Sequence, residues 1–170
     1  GGNSGSTYTN DFIELYNSGS TPVNLTGWSV QYTSVSGTVW QATPLTGTIP
    51  ANGYYLIQEA AGAAGTTPLP TPDVTGTIAM GGSGFKVALV SSTTLLSGTC
   101  PTGVVDFVGA GTANCYEGAA AAPAPSNTNA VIRRDSGCKD TDYNLADFQA
   151  QPRTPRNTAS PTYVCPAADA

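Results

Sequence analysis

The stretch Asp11–Tyr32, DFIELYNSGSTPVNLTGWSVQY, decides the fold. It opens with the apolar-rich run Phe12-Ile13-Glu14-Leu15-Tyr16 and passes through the turn-rich Asn17-Ser18-Gly19-Ser20-Thr21-Pro22 to Val23-Asn24-Leu25. It closes on Gly27-Trp28-Ser29-Val30-Gln31-Tyr32, where Trp28, Val30 and Tyr32 alternate with small or polar residues. Side chains point to opposite faces of a strand at successive positions, so this alternation predicts a half-buried strand following an earlier one.

Composition extends the β reading to the whole chain. Of 170 residues, Gly and Pro supply 20 and 13, a mixture that favours many short strands joined by turns over helices. The hydrophobic fraction of 39% suffices for one core, and the length points to one domain. We expect that domain to span 1–170, with a core over about 8–158 and a tail over 159–170. Charged residues make up only 10%, so Ser, Thr, Asn and Gln must solvate much of the surface, as is common in secreted proteins. The net charge of −5 provides no global field for nucleic acid, so a nucleic-acid partner is not expected. Arg133, Arg134, Lys139, Arg153 and Arg156 lie close together in sequence, but Asp135, Asp140, Asp142 and Asp147 share their segment, which favours internal ion pairing. No segment approaches the 18 apolar residues that would mark a membrane-spanning helix, and no leader sequence is recognised at the start.

Four cysteines, Cys100, Cys115, Cys138 and Cys165, fall in the last 71 residues. Their even number in a charge-poor chain reads as two disulfides formed in an oxidising compartment. Local pairing of Cys100 with Cys115 and Cys138 with Cys165 is preferred, with two other connectivities left open. The chain has no histidine and no Cys-x-x-Cys pair, which removes the usual zinc ligand sets.

Further strands are expected at Val39–Gln41, in hairpin relation to Trp28–Tyr32, then at Tyr54–Gln58, Val74–Ala79, Phe85–Val90, Val104–Val108 and Ala130–Arg134. Lys86 alternates with Phe85 and Val87 and is expected in solvent. Long loops are expected at Glu59–Pro72 and Gly109–Asn129, and one helical turn capped by an Asp between Asp140 and Phe148. About eight short strands without helical periodicity give an all-β fold, an antiparallel sandwich or barrel.

Ordered landmarks then carry a resemblance. They are DFIELYN at 11–17, NLTGW at 24–28, LTGTIPANGYYLI at 45–57, FKVALV at 85–90, VVDFVG at 104–109, SNTNAVIRR at 126–134, TDYNLADF at 141–148 and PRNT at 155–158. Together they resemble the lamin-tail domain, an immunoglobulin-like β-sandwich, over nearly the whole chain. The Pro-rich and Ala/Pro loops and the cysteines look like its secreted bacterial branch. That branch occurs in cell-surface proteins and ahead of extracellular nuclease domains. The resemblance implies no catalytic activity. It also implies an apolar strand just before the Gly/Asn loop, whereas this chain opens at Gly1-Gly2-Asn3, already inside that loop. Three explanations stand: the strand is truncated, it is cleaved but still bound, or another chain donates it by β-augmentation.

Glu14 could act as a catalytic carboxylate only with a second one about 5–9 Å away, and pairing with an Arg is preferred. Asp140, Asp142, Asn144 and Asp147 have the alternating oxygens of a weak calcium loop, but Leu145 stands where a Gly would turn and no bidentate Glu follows. The plainer use is a turn in which Asp and Asn hold backbone amides. No cofactor is expected, calcium at these four residues being the one weak candidate. Pro155-Arg156-Asn157 is expected to clamp the tail to the sandwich rather than dock a partner. Trp28, Trp40, Tyr54 and Tyr55 are expected in the core rather than on a carbohydrate platform. Asn24-Leu25-Thr26 is a glycosylation sequon. Without histidine there is no Ser-His-Asp triad, and no Gly-rich phosphate loop precedes a helix.

The expected function is a non-catalytic extracellular structural or adhesive module that self-assembles through an open sheet edge with copies of itself. The alternative is an accessory domain targeting a secreted nuclease or phosphoesterase. Direct DNA binding stands third, weakened by the acidic charge.

Overall fold

Alternation along the first strand sends Ile13 and Leu15 into a core, while Glu14 and Tyr16 meet the C-terminal segment on the other face. The computed structural model describes residues 1–167. The last three residues of the expected tail, 168–170, lie outside the described part.

Eleven strand segments follow in order among the described residues: β1 (Asn10–Tyr16), β2 (Val23–Asn24), β3 (Ser29–Thr33), β4 (Gln41–Pro44), β5 (Thr48–Ile49), β6 (Tyr54–Ala61), β7 (Val74–Thr75), β8 (Phe85–Val90), β9 (Asp106–Ala110), β10 (Asn129–Arg133) and β11 (Phe148–Pro152). One sheet runs β1-β6-β7, antiparallel at β1–β6 and parallel at β6–β7. The other runs β4-β3-β8-β9 and is antiparallel throughout. β10 and β11 form a separate antiparallel pair, as do β2 and β5.

The two larger sheets face each other over Leu25, Val30, Leu45, Ile49, Tyr55 and Ile57, with Ile13, Leu15, Trp28 and Leu89 packed alongside. Burying each such aliphatic side chain stabilises the fold by about 1.5–3 kcal/mol, and this layer makes the chain an immunoglobulin-like β-sandwich.

The outer face of the four-stranded sheet is also dry. Trp40, Ala88, Val90 and Phe107 pack there under the loops around residues 34–40, 91–104 and 112–117. This overturns the solvent-exposed placement of Lys86. Its alternation with Phe85 and Val87 is as expected, but the face it points to is roofed by loops. Lys86 is 0% exposed, and its ammonium donates to Gly37 O at 2.8 Å, Thr99 O at 2.9 Å and Asn114 Oδ1 at 2.9 Å. Gln31 shares that face and bonds Ser29, Thr94 and Leu96.

Other boundaries moved. The hairpin partner of β3 is Gln41–Pro44, not Val39–Gln41, because Thr33 Oγ1 bonds Val39 O and the chain turns until Gln41 reaches Tyr32. Val74–Ala79 pairs only over Val74–Thr75; Glu59 then takes Ile78 N instead of a neighbouring strand. β9 begins two residues later than expected, and β11 was not foreseen as a strand. The helical turn is Asn144–Asp147; no Asp caps its start, and Asp147 instead accepts from Thr141 N and Tyr143 N in the segment just before it.

Both disulfides join the preferred partners. Cys100–Cys115 ties the loop before β9 to the loop after it, and Cys138–Cys165 ties the C-terminal segment to the turn after β10. With sequence separations of 15 and 27, each stabilises by roughly 3 kcal/mol through chain entropy.

Candidate binding cleft

Among the described residues β1 has one strand partner, β6, and β10 has one, β11. Between β1 and β10 lies a cleft of about 700 Å³ lined by six of the seven β1 residues and all five of β10. Its floor is the inward face of the four-stranded sheet, with Val30, Val87, Leu89 and Val108. β10 brings Val131, which packs with Phe85, Val108 and Phe148.

Contacts at both ends orient the two walls. Near the start of β1, the loop residue Ser4 accepts from Asn127 Nδ2, just before β10. At the far end, Tyr16 packs against Gly137, just after β10. β1 and β10 therefore run in the same direction across the gap. Gly137 has φ +107, and a Cβ there would lie 2.6 Å from the Tyr16 ring, so glycine alone lets this end close.

The C-terminal segment crosses from β11 to β1 along the cleft, which residues 153–156 help to line. Arg156 anchors it. Its backbone N–H and guanidinium bond both oxygens of Glu14, with Arg156 Nη2 at 2.7 Å from Glu14 Oε1, and the guanidinium lies 3.6 Å from the centre of the Tyr54 ring. Beyond it, Asn157 Nδ2 donates to Thr71 O and Thr158 to the Asp73 carboxylate. The expected clamp is thus in place, and Glu14 is the carboxylate it grips. No second carboxylate is brought to Glu14 among its hydrogen-bond partners.

Two of the basic residues near the cleft are ion-paired, Arg156 with Glu14 and Arg133 with Asp106 and Asp140. Arg133 bonds Asp106 at 2.6 Å and Asp140 at 2.7 Å and stands 4.0 Å from Asp147, while its guanidinium covers the Phe148 ring. Burial works against the Arg133 charge, yet Asp106 and Asp140 outweigh it and raise its pKa. Of the five clustered basic residues, Arg133 and Arg156 are ion-paired, whereas Arg134 bonds the neutral Gln149, Arg153 bonds Asn127 O, and Arg134, Lys139 and Arg153 have no salt bridge among the described residues.

The four oxygen-bearing residues proposed for calcium are placed separately. Asp147 is fully buried and accepts from Thr141 N, Thr141 Oγ1 and Tyr143 N. Burial opposes its charge, but these donors and Arg133 prevail and hold its pKa below the usual Asp range. Asn144, also buried, accepts from Gly109 N and Glu117 N and donates to Phe107 O and Glu117 Oε2. Asp140 pairs with Arg133, and Asp142 takes a positive φ of 53° in the turn. Burial, reinforced by the charge of Asp106, pushes the neighbouring Glu117 up to about 7. Among the described residues no cluster of three or more Asp, Glu or Cys side chains is arranged to hold a metal.

Trp40, Tyr54 and Tyr55 are buried and Trp28 half-buried, so these aromatics are core and form no exposed platform. Asn24 is exposed on β2, its Oδ1 accepting from Thr26 N. Sequence reasoning missed Lys86, Glu59, Glu117 and the cleft itself. Glu59, 1% exposed, bonds Thr43 Oγ1 and Ile78 N, and burial raises its pKa.

The fold defines an immunoglobulin-like β-sandwich with a dry second face. The profile of the lamin tail domain matches residues 1–111, from the N-terminal loop through β9. The chain belongs to the lamin tail domain family, a family of non-catalytic immunoglobulin-like domains. No curated protein sequence matches the chain. No helix among the described residues is long and apolar enough to cross a membrane.

Proposed function

We propose that this chain is a non-catalytic extracellular structural or adhesive module that assembles with further copies of itself by strand exchange at its open sheet edge. The observation carrying this reading is the cleft between β1 and β10, where among the described residues no strand lies between the two. Unpaired strand edges are templates for another chain, and natural sheets ordinarily cover or charge them. Two disulfides and a surface poor in charge suit an oxidising compartment outside the cell. The site offers backbone edges and apolar side chains, and of its carboxylates Glu14 is engaged by Arg156, Asp106 and Asp140 by Arg133, and Asp11 by Met80 N.

Light scattering over a concentration series, followed by negative-stain electron microscopy, tests the reading. Oligomers or filaments that grow with concentration are expected. A monomer at every concentration would refute self-assembly.

A further inference from the structure

We infer that residues 117–120 and the turn at 143–145 form a proton-operated latch over the outer edge of β9. With the Glu117 carboxyl protonated the latch holds the helical turn Asn144–Asp147 against that edge, and ionisation of Glu117 loosens it. The inference goes beyond the proposed function and does not rest on strand exchange at β1 and β10.

Among the described residues β9 is an end strand of the four-stranded sheet, so its outward backbone groups need partners other than a strand. Asn144 supplies two of them with one side chain. Its Oδ1 accepts from Gly109 N at 2.8 Å and its Nδ2 donates to Phe107 O at 3.0 Å, bonds that a neighbouring strand would otherwise make. Ala122 N donates to Gly109 O, the next group along. Asn144 is 0% exposed, so water does not stand in for it while the turn is closed.

Glu117 keeps Asn144 in place. Asn144 N donates to Glu117 O at 3.1 Å, Glu117 N donates to Asn144 Oδ1 at 3.2 Å, and Asn144 Nδ2 donates to Glu117 Oε2 at 3.0 Å. Leu145 N donates to Ala120 O at 3.2 Å. Gly118 lies so close to Tyr143 that a Cβ there would stand 2.7 Å from the ring. Most bonds between the two segments thus converge on one residue with an ionisable side chain.

The surroundings of that side chain make its proton matter. Burial disfavours the carboxylate, and Asp106 on β9 and Asp142 before the helical turn add like charge. The bond from Asn144 and the charge of Arg133 on β10 act the other way but do not prevail, and the carboxyl is pushed up to about 7. Asp147, on the helical turn, is occupied by Thr141 and Tyr143 N and stands 4.0 Å from Arg133, which also holds Asp140. An ionised Glu117 finds relief by swinging into solvent beside the exposed Gly118 and Ala119, and its bonds to Asn144 are lost with that movement. In solvent the carboxyl returns towards 4.5. The closed form therefore holds a proton that the open form releases, and opening grows as pH rises towards and past 7. Opening bares Phe107 O and Gly109 N, so the latch governs whether this edge of the sheet is covered.

NMR titration from about pH 5 to about pH 9, with amide hydrogen exchange corrected for its intrinsic pH dependence, tests the latch on the chain with both disulfides intact. The Gly109, Asn144 and Leu145 amides should shift with one midpoint near 7. They should open about tenfold more often at about pH 8 than at about pH 5, after allowance for solvent screening. Amides of β3 and β8 should keep their protection. Glu117→Gln keeps an oxygen for Asn144 Nδ2 and cannot ionise, and it should remove both the midpoint and the rise in opening. No midpoint between about 6 and 8 in the native chain, or the same titration in Glu117→Gln, would overturn the inference. So would opening that extends equally to β3 and β8, since that is loosening of the whole fold.

Discussion

Replacing Lys86 with Met isolates one ammonium group, because the thioether keeps the length of the aliphatic stem. The native ammonium ties three separate loops through Gly37 O, Thr99 O and Asn114 Oδ1, with Trp40 beside it at 5.9 Å. Lys86→Met leaves three acceptors under the loops without a donor, each a loss of about 1–3 kcal/mol where water cannot reach. The variant is also relieved of burying a charge, which offsets part of that loss. The net destabilisation should be about 2–4 kcal/mol, a fall in melting temperature of roughly 5–15 °C for a chain of this size. Thermal and urea unfolding under non-reducing conditions would measure it. Lys139→Met is the control, since the Lys139 ammonium has no partner among the described residues, and it should change stability by less than about 0.5 kcal/mol. If Lys86→Met matches that control, the dry outer face is not as described.

Arg156→Ala removes the paired contacts to Glu14 and the cover over Tyr54, and should cost about 1–3 kcal/mol. Trypsin should then cut after Arg153 about tenfold faster, with the C-terminal piece still held by Cys138–Cys165; unchanged cleavage would contradict the clamp. Glu117 sits at about 7 when folded, above its ordinary 4.5. The folded state therefore holds the extra proton between those values, and stability should fall as pH rises from about 4.5 to about 7. After allowance for solvent screening the fall is on the order of 1–2 kcal/mol. Glu117→Gln should flatten that part of the profile without abolishing it, because Glu59 is raised in the same direction. Millimolar calcium should give no calorimetric heat and no shift in melting temperature. The oxygens of Asp147 and Asn144 already serve backbone amides, and saturable heat lost in Asp142→Asn would contradict this.

Periodicity and turn chemistry made most of the sandwich legible. β1, β3, β6, β8 and β10 all fall on runs of Val, Ile, Leu or aromatic residues, and Glu14 and the PRNT segment could be assigned to structure because the oppositely charged partners were both present. β11 escaped because FQAQP has no β-branched residue; it is a strand only through its pairing with β10. Lys86 escaped because alternation tells which face a side chain takes, while the burial of that face depends on loops distant in sequence, around Gly37, Thr99 and Asn114. The cleft has the same non-local origin. β1 and β10 are separated by more than a hundred residues, and nothing local to either marks the other as the opposite wall.

Amide hydrogen exchange along those two strands tests the central claim most directly. In the free chain, the β1 amides that do not pair with β6 and the β10 amides that do not pair with β11 should exchange rapidly, while those of β3 and β8 stay protected. Raising the protein concentration until oligomers form should slow the open-edge amides of both strands together, by about a hundredfold or more. Protection of those amides before any oligomer forms, or no change once oligomers have formed, would contradict strand exchange at the edges of β1 and β10.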